Sequence, residues 1–544
     1  MCGHLRSTQR AGASQSARHR CAPDAAPARE VETVAPQQVL ADPGGLPDGV
    51  ANMSAGPKRA AVIGAGLGGL SAAIHLRLAG FDVTVYERND QVGGRAGQLE
   101  IEGFRFDTGP TLLNYPWVFE ELFAAAGARL SEHVELLAVD PTVRFIWPDG
   151  EELTLSSDLA TLAREFERLE PGSLSALTAF LADAELKYGI AMRKLGVRNA
   201  SGAIQWLRGA GLRELLHTSM WRSMRSELRR FFRSPRILDA LGSYAMYLGG
   251  SPWRLPGILT ILPYGEIAYG LWMPRGGIYS LVRAVERLAV SLGARIVTGA
   301  EVQRIVVADG RVCGVELSDG TEEWWPTVIS NVDVPTTRRE LLTPPSAERP
   351  PEMTPGVLTC YMGLRGRPDG LGHHTIFLPF DSRASFDALF DEQRVPEEPA
   401  FYACAPSATD PDLAPPGCST LYLLTPVPLI DRLPQTPDPA WPASLRDRMI
   451  ARMERHGIAI PPEQRACETM WTPHDWQRRY RLYNGSAFGA SHRLGQMGPW
   501  RCPNRDRKIG GLYYVGASTT PGTGMPTVVL GGRMTAERVI ADAH

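Results

Sequence analysis

The chain has 544 residues, too many for one hydrophobic core, so two or more domains are expected. A hydrophobic content of 44% with 21% charged residues suits a soluble globular interior, and a formal net charge of −2 gives no reason to expect nucleic acid as a partner. The 8 cysteines show no C-x-x-C spacing, which argues against metal ligation or a disulfide framework and for a reducing, cytoplasmic setting.

Residues 1–57 are rich in Ala, Arg, Pro, Gln and Gly and lack helical or strand periodicity. They read as a disordered leader, with Met53 as an alternative start, and they contain no apolar run of signal-peptide length. Folded texture begins at Lys58. Arg59-Ala60-Ala61-Val62-Ile63 reads as a buried strand, followed at once by Gly64-x-Gly66-x-x-Gly69. In this pattern Gly64 permits the tight turn, Gly66 lets the backbone approach a pyrophosphate, and Gly69 allows close helix–strand contact. The helix that follows places Leu67, Leu70, Ile74 and Leu78 on one face, and its N-terminal amides point at the phosphates.

A second strand, Asp82-Val83-Thr84-Val85-Tyr86, ends at Glu87, where a carboxylate accepts from ribose hydroxyls and repels a 2′-phosphate. Six residues on, Gly93-Gly94-Arg95 adds backbone amides and a guanidinium for a second phosphate. That longer cradle suits FAD better than NAD.

From 141 to 280 the sequence is mostly helical in period. Within it, residues 206–236 interleave Arg208, Arg213, Arg222, Arg225, Arg229, Arg230 and Arg233 with Trp206, Leu212, Leu215, Leu216, Met220, Trp221, Leu228, Phe231 and Phe232. An interfacial membrane surface has this pattern, and so does a solvated helical pair packed on the core. The apolar stretch 257–274 is broken by Pro263, Tyr264, Glu266 and Tyr269, so it reads as a buried wall and not a membrane span. Ala308-Asp309-Gly310 and Ser318-Asp319-Gly320 mark hairpins, and 335–505 mixes strands with Pro-rich loops. His373-His374 lacks a third ligand at useful spacing and reads as a surface-loop pair, so no metal is expected.

At the end of the chain, Gly511-Leu512-Tyr513-Tyr514-Val515-Gly516 reads as a strand entering a turn. Gly524-Met525-Pro526 then opens a last helix, with Pro526 in the first turn. A helix N-terminus there would stabilise negative charge on a reduced flavin, whereas an ordinary C-terminal helix packed on the sheet needs no such role.

These motifs together resemble the bacterial and fungal phytoene desaturases, carotenoid desaturases of the flavin amine oxidase superfamily. The similarity runs through 61–96, Gly103-Phe104-Arg105-Phe106-Asp107-Thr108-Gly109-Pro110-Thr111, Trp272-Met273-Pro274-Arg275-Gly276-Gly277, Ile329-Ser330-Asn331-Val332-Asp333, Gly485-Ser486-Ala487-Phe488-Gly489 and 514–526. The family commonly has a histidine before the last Pro-Gly, where this chain has Thr520. Thr472-Pro473 with Asp475-Trp476 is also similar to desaturases of C30 chains.

The resemblance implies FAD, a long polyene hydrocarbon substrate, and oxygen or a quinone as electron acceptor; because such a substrate lives in lipid, the 206–236 pattern makes a membrane surface an expected partner, with peripheral attachment. It also implies related activities as alternatives: a ketolase or oxidase, a saturase, or a C30 diapophytoene desaturase. An alternative of another class is a non-catalytic lipid carrier of the GDP-dissociation-inhibitor fold. Arg275 is the candidate charged group near flavin or substrate, against a purely structural pair. Glu266 is the candidate proton acceptor, against a paired structural glutamate.

The expected fold is α/β. A discontinuous Rossmann-like FAD-binding domain is drawn from 58–140, 281–334 and 506–544. A helical substrate or membrane segment occupies 141–280, and an inserted mixed α+β substrate domain occupies 335–505.

Overall fold

A computed structural model describes residues 58–199, 202–433 and 438–543. The leader, Met53 included, lies outside the described residues.

Short runs of β-branched and apolar residues form a five-stranded parallel sheet in the order Leu512–Tyr514, Val328–Ser330, Arg59–Ile63, Asp82–Tyr86, Arg295–Val297. Val62 faces Ile329 on one side and Val85 on the other, and all three are fully buried. Both faces are covered, as a parallel sheet requires. The glycine-loop helix Leu67–Leu78 and the C-terminal helix Met525–Asp542 pack closely, with Ser71 Oγ donating to the Val529 carbonyl at 2.7 Å. A Cβ on Gly532 would sit 2.6 Å from Ser71 Cβ, so glycine sets this helix spacing. The first helix is therefore buried almost all round, and only Leu78 of the expected apolar face reaches solvent.

Asp309 and Gly310, both at positive φ, close the first of two turns in the antiparallel meander Val302–Ala308, Arg311–Leu317, Glu322–Trp324. A second, seven-stranded mixed sheet runs Arg465–Trp471, Gly356–Arg365, Cys418–Val427, Phe401–Cys404, His374–Phe377, Val143–Ile146, Glu152–Leu155. Its last two strands come from the stretch expected to be helical. Val143, Phe145, Leu153 and Leu155 are buried at period two, a sheet pattern that the flanking helices mask in a longer window.

Residues 257–274 form a 3-10 turn, the helix Ile261–Tyr269 and the strand Leu271–Pro274, mostly buried. No helix among the described residues is long and apolar enough to cross a membrane.

Candidate active site

A cavity of about 470 Å³ starts at the glycine loop and runs between the two sheets. At one end its wall is backbone. Gly64 takes φ +94° to turn the chain out of the first strand, and a Cβ on Gly69 would lie 2.3 Å from the Gly64 carbonyl oxygen. Asn331, at the end of a neighbouring strand, donates from Nδ2 to that same carbonyl at 3.3 Å. A Cβ on Gly66 would meet the Asn331 amide at 2.6 Å, so Gly66 answers to Asn331 as well as to any ligand.

Glu87, 4% exposed, accepts from the Ala65 amide at 2.8 Å through Oε2 and from the Asn89 amide and side chain at 2.9 Å through Oε1. The carboxylate thus ties the glycine loop to the second strand while lining the cavity. Gly93 and Gly94, both at positive φ, bring the turn against the loop, with the Gly93 amide donating to the Ala65 carbonyl at 2.9 Å. Arg95 lines the cavity and donates to the Ala487 carbonyl at 2.6 Å, joining two motifs that lie far apart in sequence. Burial pulls its guanidinium below the usual arginine range, opposed by Asp333.

The C-terminal segment completes this end. Gly516, Gly524, Met525 and Pro526 all line the cavity, and the last helix begins at Met525 with Gly524 as its uncapped N-terminus. Arg501, which sequence reasoning missed, holds the loop: it donates to the carbonyls of Ser491 (3.0 Å), Gln496 (3.0 Å), Ala490 (2.9 Å), Ala517 and Thr519 (2.8 Å). A histidine does stand against the Pro521-Gly522 turn, although not at 520. The Nε2 of buried His492 accepts from the Thr523 amide at 3.3 Å.

These residues fit a dinucleotide. Neither helix N-terminus at the cavity has a side-chain cap, and neither first turn holds an acidic residue. With the Arg95 guanidinium they form a donor-only surface for phosphates, and Glu87 supplies the acceptor for a ribose.

The two residues proposed for chemistry are placed otherwise. Arg275 forms a bidentate pair with Glu135 (2.7 and 3.0 Å), is half-exposed, and does not line the cavity. Its turn is held by backbone instead: Asp107 accepts from the Ile278 and Tyr279 amides at 2.7 and 2.9 Å, and Asp410 accepts from the Gly276 amide at 2.6 Å. Burial pushes the Asp107 carboxyl up to about 6. Glu266 is 2% exposed and lies behind the cavity wall, with Oε1 making no hydrogen bond. Burial pushes its carboxyl up to about 7, against a smaller opposing effect of the Tyr244 and Thr142 hydroxyls.

The far end of the cavity is apolar and aromatic, with Met246, Tyr247, Leu262, Val357, Ile376 and Trp476 among its walls. Thr472 and Asp475 cap the helix that carries Trp476, so that motif is a helix start. His373 and His374 are buried, not on a surface loop, because His374 begins a fully buried strand. With Cys404 they are the one group of metal-ligand type among the described residues. Their Nδ1 atoms already lie 2.6 Å from the hydroxyls of Thr409 and Tyr402.

The family model for flavin-containing amine oxidoreductases matches residues 67–540. The chain belongs to that family. It is 39% identical over 90% of its length to the zeta-carotene-forming phytoene desaturase of Myxococcus xanthus, covering 95% of that protein. It is 36% identical over 89% of its length to the 4,4'-diapolycopene oxygenase of Methylomonas sp., covering 98% of it. Among solved structures, putrescine oxidase bound to putrescine shares the fold with a TM-score of 0.59 at 16% identity, covering 89% of this chain and 99% of that one. The chain is therefore an FAD-dependent oxidoreductase of the carotenoid desaturase and oxygenase group, and the non-catalytic carrier reading is set aside.

Proposed function

We propose that the enzyme introduces carbon–carbon double bonds into phytoene or a closely related polyene hydrocarbon. The observation that carries this reading is the single cavity that joins a phosphate- and ribose-binding end to a chamber walled by apolar and aromatic side chains. A saturated segment of a polyene has no polar handle, so its orientation must come from the shape of such a chamber. FAD accepts the hydride when bound. Glu87, the Gly93-Gly94-Arg95 turn and the two helix N-termini hold the cofactor, and the chamber aligns the chain and excludes water. When FAD is bound, oxygen or a quinone would take up its electrons.

The substrate reaches the chamber from a membrane surface. Ile204 (69% exposed), Leu212 (76%), Leu216 (63%) and Trp221 (64%) face outward, and exposed Arg208, Arg213, Arg222, Arg229, Arg230 and Arg233 lie among them. Met220, Leu228 and Phe232 of the same stretch are buried, so it packs on the core while presenting an apolar, cationic outer face. On this reading the protein sits peripherally on the membrane from the cytoplasm. Flotation with anionic phosphatidylglycerol vesicles should carry the wild type, and loss of flotation in Leu212→Asp/Trp221→Asp ties attachment to this face. Wild type that stays at the bottom would end the membrane reading.

A second reading, oxidation at the end of a C30 chain, is supported by the likeness to the Methylomonas oxygenase. Expression in cells that accumulate phytoene, and separately in cells that accumulate diapophytoene, separates the two. New, longer chromophores only in the first host support the lead reading, and unchanged phytoene defeats it.

A further inference from the structure

One polar chain in the chamber wall is not accounted for by cofactor binding. Tyr402 lines the cavity, and its hydroxyl lies 2.7 Å from Thr111 Oγ1 and 2.6 Å from His374 Nδ1. His374 faces Cys404 across the strand pair, with Sγ 3.7 Å from Nδ1. The His373 ring lies against it, tilted by 37°, at 4.1 Å between centroids. His373 also lines a second, water-sized cavity together with Thr111, Asp107 and Tyr422.

The location bears on the chemistry. Thr111 lies two residues past Gly109, where a Cβ would come within 2.3 Å of the Arg95 carbonyl oxygen. The Thr111–Tyr402 pair therefore meets the cavity beside the cofactor turn. Burial keeps the His374 imidazole neutral and the Tyr402 phenol protonated. In the tautomer that carries its proton on Nε2, Nδ1 accepts from the phenol, and the phenol oxygen in turn accepts from the Thr111 hydroxyl. A hydrocarbon cannot hydrogen-bond to this assembly, so substrate binding alone gives no reason for a tyrosine and a histidine here.

We propose that Tyr402, backed by His374 and positioned by Thr111, accepts the proton that leaves the polyene during desaturation. This rests on the desaturase reading above. Desaturation breaks two C–H bonds on neighbouring carbons. One bonding pair leaves with its hydrogen as a hydride to FAD, and the other becomes the new π bond as its hydrogen departs as a proton. That proton goes to the Tyr402 oxygen while the phenol's own proton moves to His374 Nδ1, and the imidazolium returns it through Tyr402, which lines the cavity, to water that enters once the product has left. Tyr402 is the catalytic residue, and His374 and Thr111 are positioning residues.

The test uses the full-length, FAD-loaded enzyme with phytoene in vesicles. Y402F should keep wild-type flavin content, thermal stability and polyene binding while turnover falls about 100-fold. With phytoene deuterated at the reacting carbons, its isotope effect should exceed that of the wild type, because proton loss becomes the slow step. T111V should lose less, and H374Q should lose about as much, with the Y402F/H374Q pair no worse than either single change. Should H374Q fail to fold, Y402F and T111V still decide. Y402F with full flavin and turnover within about threefold of wild type would overturn the relay. A slower Y402F whose isotope effect is unchanged would assign Tyr402 a structural role and overturn it equally. A wild type inert on every polyene would sink the desaturase reading and the relay with it, whereas an active wild type beside a near-normal Y402F sinks the relay alone.

Discussion

At the nucleotide end of the cavity the wall is made of main chain, and at the polyene end it is made of side chains. Gly64, Gly66, Gly69, Gly93 and Gly94 are there because a methyl group would strike a neighbouring backbone or amide, or because the backbone takes a positive φ. Val357, Ile376, Tyr422 and Trp476 come from separate strands and a helix, and each is replaceable by another side chain of similar volume. The first kind of wall tolerates no addition. The second tolerates exchange but not deletion, which is how one scaffold keeps its cofactor while its substrate changes.

The largest expected effect tests the side-chain end. Trp476→Ala removes a buried ring that donates from Nε1 to Thr359 Oγ1 at 3.2 Å, and it should cost about 3–5 kcal/mol in chemical unfolding. Flavin should remain bound in the protein that stays folded.

Glu87→Ala attacks the other end. It leaves the buried Ala65 amide without its acceptor, so it should weaken flavin retention by about 1.5–3 kcal/mol, read by titrating apoprotein with FAD. Gly69→Ala adds one methyl 2.3 Å from the Gly64 carbonyl oxygen, and it should cost about 1–3 kcal/mol while yielding colourless protein. If that protein is yellow and stable, the contrast between the two walls is broken.

A smaller effect separates a buried charge from a catalytic one. Glu266 titrates at about 7 when folded against an ordinary 4.5. Below 4.5 it is protonated in both states. As pH rises toward about 7 only the unfolded chain ionises, so stability falls, and above that the penalty is constant. Glu266→Gln should therefore gain in melting temperature over wild type as pH rises from about 5, and the gain should level off and persist above about pH 8. A gain with unchanged turnover removes Glu266 from the chemistry. The smallest effect belongs to Arg275→Ala: with its partner Glu135 exposed and the cavity elsewhere, turnover and melting temperature should both stay at wild-type values. A large loss of turnover would return Arg275 to the site.

The nucleotide end was legible in the sequence because its physics is local. A strand, three glycines at fixed spacing, a helix and an acidic residue after the next strand lie within 64–87, and each is required by backbone sterics that any chain must obey. The hairpins at Asp309-Gly310 and Asp319-Gly320 were legible for the same reason. What the tertiary structure decided was everything that depends on partners far along the chain. Arg275 looked functional from its turn, yet the strand Leu136–Val139 and its neighbour Glu135 turn the guanidinium outward. His373-His374 looked like a loop pair, yet the pairing of His374 with Cys404 buries it beside Tyr402. Strand Val143–Ile146 escaped notice because the partner that joins it to the sheet, His374–Phe377, begins more than two hundred residues later, although its other partner, Glu152–Leu155, is local. Local sterics fix where a cofactor's phosphates can lie, whereas the wall that meets the substrate exists only once distant strands have paired.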